Sequence, residues 1–371
     1  MIVSLMVFSV RKKAYLCGDM MIRCVRHIAS IVMAIAVCVT LKAQSGNGTY
    51  AYLDVSPSSR IAALGGLNIS SIDNDITSAI HNPALLTAET HNTISLNYAS
   101  YIAGINFLSA AYGYNYNDNY FAAAINYVDY GRFRGADEVG VETGSFTAKD
   151  FCFNLIYARR INDYFTAGAT LKPLYSVYER YTSFALAVDI GATFCTLNKL
   201  FSAAIAFRNA GVQLKGFHDD EDGKQYRDRV PFEIDLGITG KFKHAPLRLS
   251  LTLHNLQRWD LSYQVTNQTV NTLNGGTQAK SADVGWFDML FRHAIIALDI
   301  MPSNNFYATI AYNHRRNAEM RAEGYRSLGG FSFGAGVRLY KFHIGFGAEQ
   351  YMKGNFAFHF SLTTHINDFK K

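Results

Sequence analysis

The chain has 371 residues, 49% hydrophobic and 17% charged, with 23 Tyr and 26 Phe, a composition that excludes a disordered chain. Its mean hydropathy of +0.00 is too low for a bundle of membrane helices. The net charge of +6 comes almost wholly from residues 1–43, where six Lys/Arg face one acid, Asp19; the remainder carries 6 − 5 = +1, so nucleic-acid binding loses its compositional support.

Near the start, Arg23, Arg26 and His27 precede the apolar run Ile28 to Leu41, and Lys42, Ala43 and Gln44 follow. A basic beginning, an apolar core and a small closing residue describe a secretory signal with cleavage after Ala43. The alternative is an N-terminal membrane anchor. Residues 1–20 look superfluous to the signal, and Met20 or Met21 is a second candidate start. Val37 stands before Cys38 where a lipoprotein signal would carry a small residue.

Residues 44–91 do not alternate. Arg60 to Gly66 and Ile76 to Leu86 read as two short helical or turn segments, broken by Gly65-Gly66 and by Pro83.

From Thr93 to Ile366 apolar and polar residues alternate in short runs, the period of a strand. Fourteen runs start near residues 93, 105, 120, 148, 164, 182, 200, 231, 247, 292, 304, 328, 342 and 355. Short turns follow the even-numbered runs. The long connections, 131–147, 215–230, 257–291 and 317–327, all follow odd-numbered runs. This sorting predicts an all-β, antiparallel up-and-down transmembrane barrel of about 14 strands, with termini in the periplasm and long loops outside. In the eighth run Phe232, Ile234, Leu236 and Ile238 share one face, and Glu233, Asp235, Thr239 and Lys241 the other. A mid-membrane charge on the lipid face costs about 2–4 kcal/mol for Lys or Arg, so the charged face is expected to line the lumen. A soluble barrel with its apolar face inward is the competing reading. A ring of fourteen strands is wider than side chains fill, which makes residues 44–91 a natural plug and residues 92–371 the barrel.

Expected lumen residues include His254, Glu233, Asp235, Asp299, His359, His365, Glu349 and Arg338. They are scattered over many strands and form no recognised catalytic spacing, so no enzyme, cofactor or metal is expected. Asp219-Asp-Glu-Asp-Gly223 lacks the spacing of a calcium loop and reads as a solvated acidic loop. Trp259, Trp286, Tyr98, Tyr101, Tyr127 and Tyr130 suit aromatic girdles at the membrane interface. Cys152 and Cys195 fall on the fourth and sixth runs, a whole strand apart, and are expected as free thiols.

Asp75, Ile80 and Asn82-Pro83-Ala84-Leu-Leu86, placed ahead of a strand series, resemble the N-terminal hatch of the FadL-like long-chain fatty-acid transporter family. That resemblance implies a plugged barrel of fourteen strands and gives Arg60, Gly65, Gly66, Asn82, Pro83 and Ala84 a structural role. Further blocks, 58–66, 127–133, 209–215 and 254–261, resemble the PorQ-type outer-membrane components of the type IX secretion system. This second resemblance covers nearly all of the chain after residue 43. It implies a non-enzymatic member of an attachment complex that holds a PorZ-like surface protein, alongside PorU and PorV, so that cargo is joined to anionic lipopolysaccharide in the outer membrane. Arg132, Phe133, Arg134, Trp259 and Tyr263 are placed on long connections to contact such a partner. The alternative function is transport of hydrophobic small molecules.

Overall fold

The computed structural model describes residues 49–137, 139–217, 227–261, 285–303, 305–320, 329–352 and 354–369. The expected signal at 1–43, the acidic run at 219–223 and Tyr263 lie outside them.

Fourteen strands make one closed ring: β1 (Thr93–Ser100), β2 (Asn106–Tyr116), β3 (Asn119–Ala136), β4 (Glu142–Arg160), β5 (Phe165–Tyr178), β6 (Tyr181–Cys195), β7 (Phe201–Lys215), β8 (Glu233–Lys241), β9 (Leu247–Leu253), β10 (Ala294–Ser303), β11 (Phe306–Asn313), β12 (Phe331–Leu339), β13 (Phe342–Met352) and β14 (Asn355–His365). Each strand pairs antiparallel with the next, and β1 closes on β14 from Thr93↔His365 to Ser100↔Phe358. Closure leaves no free edge strand: each strand has a hydrogen-bonded neighbour on both sides, as a hydrocarbon surrounding demands.

The faces are sorted opposite to those of a soluble barrel. Outward side chains are apolar and exposed: Leu108, Tyr112 and Tyr114 on β2, and Phe356, Phe358, Phe360 and Leu362 on β14. Inward side chains are buried and often polar: Ser109 on β2, Asp189 on β6, Glu233 and Asp235 on β8, His359 on β14. Only a lipid surrounding makes that arrangement favourable. Among the described residues no helix is long and apolar enough to cross a membrane; the strands do it.

Two details differ from the sequence expectation. The first long connection, expected at 131–147, is mostly ladder, because Arg132↔Thr147, Phe133↔Phe146 and Arg134↔Ser145 continue the β3–β4 pairing. A register shift between Asp129 and Arg132 carries the hairpin past an irregularity, where Gly131 has φ 83°. The ladder runs on to Ala136↔Glu142, and beyond it the Asp137 N–H donates to the Val141 carbonyl at 2.9 Å. The connections expected at 257–291 and 317–327 carry a short helix where a loop was expected: α2 (Trp286–Arg292) before β10 and α3 (His314–Glu319) after β11. In α2 the residues Trp286, Phe287, Leu290 and Phe291 recur at helical spacing, a pattern hidden in the sequence by its isolation between strands.

Candidate functional site

The N-terminal segment builds its own short turns and lays them on the inward faces of the strands. Helix α1 (Ser59–Ala63) starts at Ser58, whose hydroxyl accepts from the Ile61 N–H. Gly65 and Gly66, at φ 92° and 100°, reverse the chain after it; the left-handed region suits glycine. The turn at Ile76–Ile80 is capped by Asp75, which accepts from the Thr77 N–H. The turn at Pro83–Leu85 is capped by Asn82, whose Oδ1 accepts from the Ala84 N–H at 3.0 Å. The amide nitrogen of Asn82 donates to the Ile69 carbonyl at 2.7 Å and to Thr193 Oγ1 on β6 at 3.1 Å. The Asn-Pro-Ala motif is thus a structural clamp.

Glycines on the facing strands make room for this contact. A Cβ at Gly191 would stand 2.0 Å from Asn82 Oδ1, and one at Gly168 2.9 Å from Pro83 Cβ. A Cβ at Gly334 would stand 2.4 Å from Ala63 Cβ.

Buried charges fasten the segment more strongly. Arg60 Nε donates to Asp73 at 2.6 Å, and its Nη1 to Asp299 on β10 at 2.9 Å and Thr309 on β11 at 2.6 Å. Arg248 on β9 completes the square by pairing with Asp73 and, at 2.8 Å, with Asp299. Two guanidiniums and two carboxylates leave it neutral. Burial works to raise the Asp73 carboxyl, and the charges of Arg248 and Arg60 outweigh it and hold the group ionised. His81 is held well below the usual imidazole range by burial first, then by Arg208 and Lys172, and stays uncharged. The wall carries Lys172 with Asp189 at 2.5 Å and Arg208 with Glu233 at 3.1 Å and Asp235 at 3.2 Å, and Arg316 of α3 pairs with Glu349 on β13 at 2.9 Å beside His359.

The turn at Ala51–Asp54 and the residue before it lie differently. Tyr50 and Tyr52 pack into an apolar wall formed by Ala99, Phe107, Val128, Cys152, Leu174, Ala185 and Ala187 on β1 to β6, with Val230 beside it. Its hydrogen bonds to the wall include Tyr50 Oη with Ser183 Oγ at 2.8 Å, Tyr52 Oη to the Phe151 carbonyl at 3.4 Å, and Thr49 with Asp228.

The expected residues therefore separate. Arg60, Asn82, Pro83 and Ala84 are brought together with the wall, and Gly65 and Gly66 form the reversal beside them. Arg132, Phe133 and Arg134 stand exposed on the β3–β4 hairpin rather than on a loop, with Phe133 stacked on Phe146 at 5.4 Å. Trp259 is exposed after β9 and stacks on His293 at 5.4 Å. Tyr130 corrects the girdle expectation: it shares the inward parity of Ala124 and Val128, and its hydroxyl donates to buried Asp150 at 2.6 Å. His365 is half-buried, and Arg338 lies at a strand end with an exposed side chain. Cys152 is buried and Cys195 half-buried, and both are free. Sequence reasoning missed Asp189 and Arg208, which inward parity could have found, and Asp73, Tyr50 and Tyr52, which no periodicity marks. Among the described residues no group of His, Cys, Asp and Glu is arranged to hold a metal ion.

No protein-family model matches the chain. No curated protein matches it either. Solved structures do. A deletion mutant of the monoaromatic hydrocarbon channel TodX is 12% identical with a TM-score of 0.51, over 84% of this chain and 97% of that one. The Pseudomonas putida toluene transporter TodX is 11% identical with a TM-score of 0.50, over the same shares of 84% and 97%. At such identities the likeness is one of fold. The chain accordingly has the fold of a FadL-like outer-membrane barrel, closed by fourteen antiparallel strands, as the Asn82-Pro83-Ala84 motif led one to expect.

Proposed function

We propose that this barrel passes hydrophobic small molecules through an apolar site now filled by Tyr50 and Tyr52. The observation that carries the reading is the unequal fastening of the N-terminal segment. Residues 56–90 are tied to the wall by buried ion pairs and the Asn82 clamp. Residues 49–55 rest mainly on an apolar surface, with hydrogen bonds from Tyr50 to Ser183, from Tyr52 to the Phe151 carbonyl and from Thr49 to Asp228. Withdrawal of that turn bares a surface shaped by two phenol rings, the size of a monoaromatic ligand, and leaves the charge square intact. The TodX fold supports the same reading. In this account the termini are periplasmic and the connections after β7, β9 and β11 are extracellular. The test is uptake of a radiolabelled monoaromatic hydrocarbon and a long-chain fatty acid by cells with and without the barrel, with Leu174→Asp in the apolar wall as control. Uptake that needs the barrel and is lost in Leu174→Asp supports the reading; equal uptake in all three sinks it.

A second reading keeps the barrel as a platform of a type IX attachment complex, holding a PorZ-like surface protein together with PorU and PorV for transfer of cargo to lipopolysaccharide. What favours it is the buried charge that crosses the ring interior through Arg60 and Arg316, which suits a closed barrel. Gentle solubilisation and affinity capture of the tagged barrel tests it: recovery of the barrel alone, from cells that keep the surface protein when the barrel is deleted, sinks the platform.

A further inference from the structure

Helix α2 presents its apolar face outward. Trp286, Phe287, Leu290 and Phe291, one side of the helix by spacing, are all exposed, Trp286 at 59% and Phe287 at 71%. Met289 alone of its apolar residues is buried. The polar edge turns to the ring: Arg292 Nε donates to Asp288 at 2.8 Å, and the other Asp288 oxygen lies 2.7 Å from His314 Nε2 on α3. So large an uncovered aromatic face needs a partner.

Ring contacts show where that face leads. Phe333 stacks on Phe331 at 6.3 Å, and Phe331 meets Tyr312 at 4.9 Å. All three belong to the outward faces of β12 and β11, the lipid-facing band. Tyr312 lies 6.0 Å from the His314 ring, and His314 6.1 Å from Phe291 on α2. From the other side Trp259 lies 6.1 Å from Trp286, which meets Phe287 edge-on at 5.0 Å. The exposed face thus continues the lipid-facing band past the end of the strands. Immediately after α2, Ile296 on β10 resumes that band.

We propose that α2 and Trp259 form a lipid anchor, with Trp259, Trp286, Phe287 and Phe291 seated in the interfacial layer of the leaflet at that rim. Trp is favoured at that depth because its indole N–H stays hydrated while the ring is withdrawn from water. Apolar residues on one side of a short helix, with charge on the other, are the pattern of a helix lying in the interface. The anchor pins α2 to the membrane plane.

The chain's two tryptophans both sit in this patch, so its fluorescence reads the patch alone. The full chain is reconstituted in phosphatidylcholine vesicles, either unlabelled, brominated close to the headgroup, or brominated at the acyl-chain end. The expected result is loss of most tryptophan emission with the shallow bromine, a smaller loss with the deep one, and weak quenching by aqueous acrylamide. Trp259→Phe, which leaves Trp286 as sole reporter, keeps this order. Emission indifferent to both brominated lipids and strongly quenched by acrylamide overturns the proposal, since the face then stands in water. It is equally overturned if acrylamide quenching falls only on adding the surface-protein fraction, which identifies a protein as the cover.

Discussion

Replacing Asp299 by Ala removes one of the two carboxylates that balance Arg60 and Arg248. Asp299 receives Arg60 Nη1 at 2.9 Å and Arg248 Nε at 2.8 Å, and accepts from the Thr309 hydroxyl at 2.6 Å. After the change two buried guanidiniums share Asp73, and the square carries one uncompensated positive charge. Breaking a buried ion pair by deleting one partner costs about 3–5 kcal/mol, because the remaining charge is left desolvated. At about 1.4 kcal/mol per tenfold, that is a shift of roughly two to three and a half decades in the folding equilibrium. The assay is denaturant unfolding in detergent micelles, with folded and unfolded barrel separated by gel mobility. Arg134→Ala is the matched control: its pair with Glu142 has side chains 88% and 72% exposed, and such pairs contribute about 0–1 kcal/mol. The double variant Asp299→Ala/Arg248→Leu restores neutrality and recovers part of the loss; coupling of this kind is expected between groups in one network. If Asp299→Ala costs no more than Arg134→Ala, the charge square does not fasten the N-terminal segment and the reasoning fails.

Three further outcomes are expected. Gly191→Ala places a methyl 2.0 Å from Asn82 Oδ1, whose amide is held on both sides, and overpacking of this kind costs about 1–3 kcal/mol by the same unfolding assay; an unchanged midpoint refutes the clamp. Tyr52→Ala vacates part of the apolar site and raises uptake of a monoaromatic hydrocarbon, while the midpoint falls because a buried ring loses its apolar contacts; unchanged or lowered uptake contradicts it. At the rim, burial works to raise the Asp288 carboxyl, but the hydrogen bonds from His314 and Arg292 outweigh it and hold it below the ordinary carboxylate range. A depressed carboxyl contributes stability above its unfolded value that is lost as pH falls through the folded one. The contact between α2 and α3 should therefore weaken as pH falls through the carboxylate range, read as a change in Trp286 emission in Trp259→Phe; emission that stays unchanged down to acid unfolding would contradict the assignment to Asp288.

Alternation made the barrel legible. Each of the fourteen observed strands overlaps an expected run, and Glu233 and Asp235 face inward because charge on the lipid side is costly. The strand β3 was harder to read: Gly131, Arg132 and Gly135 look like a loop, yet cross-strand pairs such as Phe133↔Phe146 carry the ladder on. Residue type alone places Tyr130 in a girdle, whereas strand parity turns it inward to Asp150. The N-terminal segment was legible only at its caps and glycines. Asp73 meets Arg60 and Arg248 through a fold in irregular chain, and no local pattern encodes so distant a meeting. Tyr50 and Tyr52 acquire their place only from the curvature of six strands.

Equilibrium binding is the direct test of the apolar site. A radiolabelled monoaromatic hydrocarbon is titrated against the purified full chain in detergent and against Tyr52→Ala. The account predicts saturable binding to the wild-type barrel, tighter binding when Tyr52 no longer competes for the wall, and none to Leu174→Asp. Absence of saturable binding to both the wild type and Tyr52→Ala would contradict it.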